Sequence, residues 1–130
     1  MRYEENAPVQ AKALADLRQA VGWNRMEECY RDPSLTSYYH IAAYDNGVLA
    51  AYIDCISNNI TDAYIQDLMV HPDYQGNGIG TELMNRMIAF LKSKHIFMIS
   101  VIFEDSLRSF YSRFGFTEMF SGQLQTFECE

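Results

Sequence analysis

Apolar residues along this chain fall into two rhythms. Residues 38–45 and 48–57 are dense in aromatic and aliphatic side chains and flank Asn46-Gly47, a dipeptide suited to a type I′ hairpin turn. The pattern predicts two antiparallel strands. A third strand is predicted over 63–70, after a polar turn at 58–62. Leu14, Leu17 and Val21 recur at helical spacing. Asn6 and Pro8 before them suit a cap and a first turn, and Gly22 after them suits a stop. Asn24 and Glu27 have the spacing of a capping box for a second short helix, ending before Pro33. Ile79, Leu83, Met87, Phe90 and Leu91 form the apolar face of a longer helix, predicted over 81–94. Residues 96–103 are almost continuously apolar, as in a strand buried on both faces. Leu107, Phe110, Tyr111 and Phe114 share one face of a short helix over 106–114, stopped by Gly115. One brief strand is expected in residues 1–5, and one or two more in 116–130.

These elements define a single α/β domain spanning 1–130, with a mixed, mostly antiparallel twisted sheet and helices on both faces. A chain of 130 residues can bury one core. Its formal charge is −7 and Lys and Arg total only 10, which argues against a nucleic-acid surface. The acidic surface serves solubility or favours cationic substrates. Cys29, Cys55 and Cys129 are odd in number and have no zinc spacing, so no metal site is expected and free thiols in a reducing cytoplasm are the simplest account. No signal peptide or membrane span is expected.

The chemistry concentrates at residues 70–84, VHPDYQGNGIGTELM. An apolar strand ends, a glycine-rich loop follows, and a helix begins at once. Such a loop aims unpaired N–H groups and the positive end of the helix dipole outward, which is a phosphate site. Gly80 is followed by Thr81-Glu82, so the Lys-Ser/Thr of a P-loop is missing. The glycines at 76, 78 and 80 also miss the G-x-G-x-x-G spacing of a dinucleotide fingerprint.

The pattern Gln75-x-x-Gly78-x-Gly80 after Val-His-Pro resembles the acetyl-CoA pyrophosphate loop of the GNAT superfamily of N-acetyltransferases. Phe110-Tyr111-Ser112-Arg113-Phe114-Gly115-Phe116 looks like the later F-Y-x-x-x-G-F motif of that family. The resemblance is firmest over residues 60–117. It implies acetyl-CoA as co-substrate and no metal. It assigns Gln75, Gly76, Asn77, Gly78, Ile79, Gly80 and Thr81 to the pyrophosphate. It also assigns the backbone of Leu68, Met69 and Val70, on a bulged strand that diverges from its neighbour, to the pantetheine arm. Tyr111 matches the family tyrosine that protonates the departing thiolate, although its helical face also suits a core residue. The family's paired Asn and Ala before F-Y are Glu104 and Leu107 here, which removes a side-chain amide for the pantetheine and keeps a longer acyl donor open.

The resemblance further implies that the first two helices wall the acceptor site, with Trp23, Asn24 and Tyr30 as candidates. Trp23 reads first as a core or hinge aromatic. The acceptor is a small-molecule or peptide amine. A lysine-like amine is neutral in only roughly one molecule in 2,500 at pH 7, so its proton must be taken up. Asp67, Asp54 and Glu27 are candidate bases, as is a water chain, and Asp54 also reads as a residue on the solvent face of the sheet. The implied reaction is acetyl transfer by direct attack in a ternary complex. A non-catalytic acyl-CoA-binding sensor and a ligand-free interaction module are the alternatives. The short tail leaves two arrangements for the last strand pair: trimmed within the chain, or completed by a second copy in a homodimer.

Overall fold

The computed structural model describes residues 1–130. Five strands form one sheet in the order β1 (Arg2–Glu5), β2 (Tyr39–Asp45), β3 (Val48–Ser57), β4 (Asp62–Val70) and β5 (Met98–Val101). The first four are antiparallel neighbours, and β5 lies parallel to β4. The Asn46-Gly47 turn has positive φ at both residues, 50° and 80°, which is the twist a two-residue hairpin needs.

Helix α1 (Ala11–Ala20) covers one face of the sheet, with α2 (Glu27–Arg31) beside it. Leu14 and Leu17 pack there against Ala42, Leu49, Tyr52 and Met69. Helix α3 (Ile79–Ser93) covers the other face, where Leu83, Met84, Met87 and Leu91 are fully buried against Ile41, Ile53 and Ile65. Helix α4 (Arg108–Ser112) joins that second face through Tyr111. The sheet thus buries both sides of its middle strands, which is why β3 reads as an unbroken buried run from Leu49 to Cys55.

One irregularity in β4 sets up the site. Tyr52 faces Met69 and Asp54 faces Gln66, so Ile53 alone stands opposite both Asp67 and Leu68. This is a β-bulge of one extra residue, and Asp67 adopts φ 54° within it. The extra residue reverses the side-chain alternation. Ala63 and Ile65 point to the α3 face, yet beyond the bulge it is Leu68 and Val70 that pack there, while Met69 enters the α1 face.

Four local expectations differ from the structure. Asn6 does not cap α1; it takes φ 55° and its N–H donates to the His40 carbonyl, and the helix starts five residues later behind an uncapped Gln10. Asn24 and Glu27 do not form a capping box, because Asn24 is held by Arg18 while Glu27 pairs with Arg25 and Arg31. The fifth strand is not buried on both faces. Ile99 and Val101 pack on the α3 side, but Met98 on the strand and Phe97 just before it are exposed. Residues 116–130 form no strand. The tail crosses instead to α2, where the Asn24 side-chain amide donates to the Cys129 carbonyl and the Met26 N–H donates to the Glu130 carbonyl.

Candidate active site

β4 and β5 pair only from Asp62 to Ile65 on the β4 side. From Gln66 onward β4 keeps β3 on one side and has no strand on the other. The His71 N–H donates to the Ala50 carbonyl. Antiparallel alternation then turns the polar groups of Met69 toward β3, and those of Leu68 and Val70 toward the open side. The Val70 carbonyl there accepts from the Gln75 side-chain amide at 2.9 Å. The Leu68 N–H and C=O and the Val70 N–H therefore line the cleft, whereas Met69 contributes its buried side chain to the α1 core.

The cleft runs into the start of α3. A short 3-10 turn, Pro72–Tyr74, is closed by the His71 imidazole, which accepts from the Asp73 N–H. The loop is braced further by the Asn77 side-chain amide, which donates to the Tyr74 carbonyl. Gly76 and Gly78 both take left-handed φ, 82° and 78°, a conformation that costs other residues about 1–2 kcal/mol. Helical bonding begins with the Glu82 N–H on the Gly78 carbonyl, and no side chain caps the helix. The N–H groups of Ile79, Gly80 and Thr81 are thus without helical acceptors. These donors, at the positive end of a 15-residue helix, suit an anion.

Gly80 sits where three elements meet. A Cβ placed on it would lie 3.5 Å from Phe110 Cζ and 3.6 Å from Val70 Cγ2. Arg113 stands beside it: its Nη2 donates to Thr81 Oγ1 at 3.1 Å, and its guanidinium lies 5.0 Å from the Phe110 ring centroid. Arg113 carries no role in the sequence pattern, although it is the single cation inside the F-Y-x-x-x-G-F segment.

Tyr111 is buried, stacked on Phe103 at 4.6 Å and edge-on to Phe110 at 5.0 Å. Burial, and secondarily Tyr64 of β4, raises its pKa above that of an ordinary tyrosine. It holds its proton firmly at neutral pH.

Across the sheet, on the α1 face, lies a buried polar corner. Arg18 of α1 is almost fully buried. Its Nε donates to the Asn24 carbonyl at 2.6 Å and its Nη2 to Asn24 Oδ1 at 2.8 Å. Its Nη1 reaches Asp67 Oδ1 at 3.4 Å and the Tyr30 hydroxyl at 3.5 Å. The Tyr30 hydroxyl in turn lies 3.5 Å from Asp67 Oδ2. Asp54 is not on a solvent face, because α1 packs over that face of β3 and leaves it only 7% exposed. Its Oδ2 is 3.4 Å from the Tyr52 hydroxyl, and its Oδ1 has no hydrogen-bond partner. Burial, then the nearby Asp67 charge, pushes the Asp54 carboxyl up to about 7. Burial also raises Asp67, against the pull of Arg18, and lifts Tyr30 to about 12.

Of the predicted acceptor-side residues, Asn24 and Tyr30 therefore join this corner with Asp54 and Asp67. Glu27 is turned to Arg25 and Arg31. Trp23 is not a core aromatic: it is 42% exposed, with the Arg18 guanidinium 5.2 Å from its ring. Arg18 itself went unnoticed in the sequence, although it falls four residues after Leu14 on the apolar stripe. No group of three His, Cys, Asp or Glu side chains is arranged to hold a metal ion, and no helix is long and apolar enough to cross a membrane.

A sheet that opens beside an uncapped, glycine-entered helix is the architecture of an acyltransferase fold. Residues 5–116 match the Acetyltransferase (GNAT) family, and the chain belongs to it. It is similar to an uncharacterized ycf52-like N-acetyltransferase of Prochlorococcus marinus, with 32% identity over 111 residues that cover 80% of this chain and 61% of the relative. A ycf52 N-acetyltransferase of Pyropia yezoensis is 27% identical over 85% of this chain and 67% of its own length. The chain thus spans about two thirds or less of the length of these relatives. Its fold is shared with a Staphylococcus aureus protein described as a probable acetyltransferase, at a TM-score of 0.85 and 18% identity over 97% of this chain and all of the other. It is shared also with an aminoglycoside 6′-N-acetyltransferase solved with coenzyme A, at a TM-score of 0.63 and 24% identity, covering 78% of this chain and 61% of the other.

Proposed function

We propose that this protein is an N-acetyltransferase that moves the acetyl group of acetyl-CoA to an amine by direct attack in a ternary complex. The observation that carries the reading is the loss of β4–β5 pairing after Ile65, which opens straight onto the uncapped first turn of α3. The residues present fit the cofactor. Leu68 and Val70 would hold the pantetheine arm through their backbone. Ile79, Gly80 and Thr81 would hold the pyrophosphate through their N–H groups, with Arg113 beside them. Gln75, Gly76, Asn77 and Gly78 fix the loop that presents those groups. Bound acetyl-CoA supplies an electrophilic thioester carbonyl and a thiolate leaving group.

The rest of the chemistry belongs to the chain. Backbone N–H groups fixed along β4 offer preorganised donors for oxygen charge that develops beside them. Tyr111, whose pKa burial raises, holds a proton that a leaving thiolate can accept. The acceptor approaches from the α1–α2 side, across β4 from that tyrosine. The three unpaired cysteines suit a reducing compartment such as the cytoplasm.

Calorimetric titration with acetyl-CoA and CoA, without acceptor, tests the reading. Saturable binding that is lost in Gly80→Glu is the expected result, followed by thiol release when an amine is added. A folded sample that binds neither ligand would overturn it.

A further inference from the structure

The Asp54–Asp67 corner is not needed to hold the cofactor, and it is poorly satisfied as a purely structural cluster. Asp54 is 7% exposed and has an unpartnered Oδ1, and unpaired buried polar atoms are uncommon because each costs stability. Asp67 sits on the bulge immediately before Leu68, has only long contacts to Arg18 and Tyr30, and keeps a quarter of its side chain exposed. Two carboxylates thus share one corner, the inner one with Oδ1 unpartnered and Tyr52 and Gln66 beside it, the outer one a quarter exposed.

The only cation there is committed. Arg18 spends its short hydrogen bonds on Asn24 and stacks on Trp23. The other basic side chains of α1, α2 and the segment between them are also engaged: Lys12 with Asp16, Arg25 with Asp16 and Glu27, and Arg31 with Glu27. With both aspartates ionised, the corner carries one more negative than positive charge. It matches one added cation with several N–H donors, and it offers nothing to a carboxylate carried next to that cation.

We propose that this corner seats the acceptor's ammonium group, that Asp67 contacts it while Asp54 behind sets the charge of the seat, and that the acceptor class is a primary aliphatic amine without a neighbouring carboxylate. The proposal rests on the acetyltransferase reading and adds the substrate class to it. Asp67 is the contact residue and Asp54 a positioning residue. The groups facing Asp54 are Tyr52 on β3, Asp67 and Gln66 on β4, Arg18 on α1 and Tyr30 on α2. His40 of β2, its cross-strand neighbour, is tied to Ser37 and the Ala7 carbonyl. Tyr52 and Tyr30 stay neutral near pH 7 because burial raises both. Burial pushes Asp54 up to about 7, so the seat gains its charge as pH rises through that value.

The test pairs n-pentylamine with norleucine, which has the same chain and an added α-carboxylate. Each is titrated into the protein alone and followed by amide chemical shifts at pH 6 and pH 8. n-Pentylamine is expected to bind, roughly tenfold more tightly at pH 8 than at pH 6, with shifts at Asp67 and Tyr30. Norleucine is expected to bind at least about tenfold more weakly. Asp54→Asn should flatten the pH dependence, and Asp67→Asn should abolish binding at both pH values. Equal binding of norleucine overturns the substrate class. A pH dependence that survives in Asp54→Asn, or amine binding that survives in Asp67→Asn, overturns the seat. Acetyl-CoA is titrated separately. CoA binding without amine binding overturns the seat alone, and amine binding without CoA binding supports the seat while overturning the acetyltransferase reading.

Discussion

Arg113 on the loop after α4 donates through Nη2 to Thr81 Oγ1 in the first turn of α3, at 3.1 Å. The bond ties the two motifs of the chain together and holds a guanidinium beside the glycine-rich loop. Arg113→Ala should weaken CoA binding by roughly tenfold, and raised salt should close much of the gap between the two proteins. Calorimetry at two ionic strengths checks this. Equal affinities at low salt would remove Arg113 from the site.

Gly80 separates ligand approach from folding. Its position is helical, and an added Cβ would make only ordinary contacts with Phe110 and Val70. Gly80→Ala should therefore fold with unchanged or slightly raised stability, by about 0.5–1 kcal/mol. A fall in CoA affinity in that variant would therefore report on ligand approach and not on folding. Gly78→Ala should behave differently and lose about 1–2 kcal/mol, since φ there is 78°. Denaturant melts beside CoA titrations distinguish the two.

Tyr111→Phe keeps the ring that stacks on Phe103 and removes only the hydroxyl. Turnover should drop about 10²–10⁴-fold with CoA affinity intact. An unchanged rate would return Tyr111 to the core. Cofactor binding with no turnover in either protein would favour a sensor.

Asp54 makes stability depend on pH with a definite sign. Its carboxyl titrates at about 7 in the fold against 3.8 when unperturbed. Between those values the folded state holds a proton that the unfolded chain has lost, so stability falls as pH rises through this window and stays low above it. The difference corresponds to at most about 4 kcal/mol. Asp54→Asn should therefore melt higher than the parent at pH 8, with the gap nearly gone at pH 4. A gap of constant size across that range would mean that Asp54 does not titrate as its burial implies.

Much of the fold could be read from the chain because its signals are local. The ends of β3, the Asn46-Gly47 turn and the glycine entry to α3 depend on residues within a few positions of one another. The glycine-rich loop belongs to the same class, since its free N–H groups are set by its own backbone. The buried polar corner was legible only in pieces. Asp54 interrupts a buried run, and Arg18 breaks an apolar stripe. Nothing local says that a helix and a bulge 49 residues apart in sequence bring Arg18 to Asp67. The reading of 96–103 failed for a related reason. Apolar density signals burial, but which helix covers which face depends on the sheet order. The tail has no strand signal strong enough to outweigh its contacts with Asn24 and Met26.

The bulge at Asp67 is a phase shift of a single residue. Upstream, odd-numbered side chains face α3; downstream, even-numbered ones do. Deleting Asp67 would join Gln66 to Leu68 in continuous alternation, leaving Leu68 and Val70 on the α3 face and Met69 on the α1 face but removing the bend that the bulge puts into β4. It would also remove the carboxylate that Arg18 reaches. The bend that parts β4 from β5 and the carboxylate that faces Arg18 thus both come from the one extra residue of the bulge, so a deletion there removes the two together.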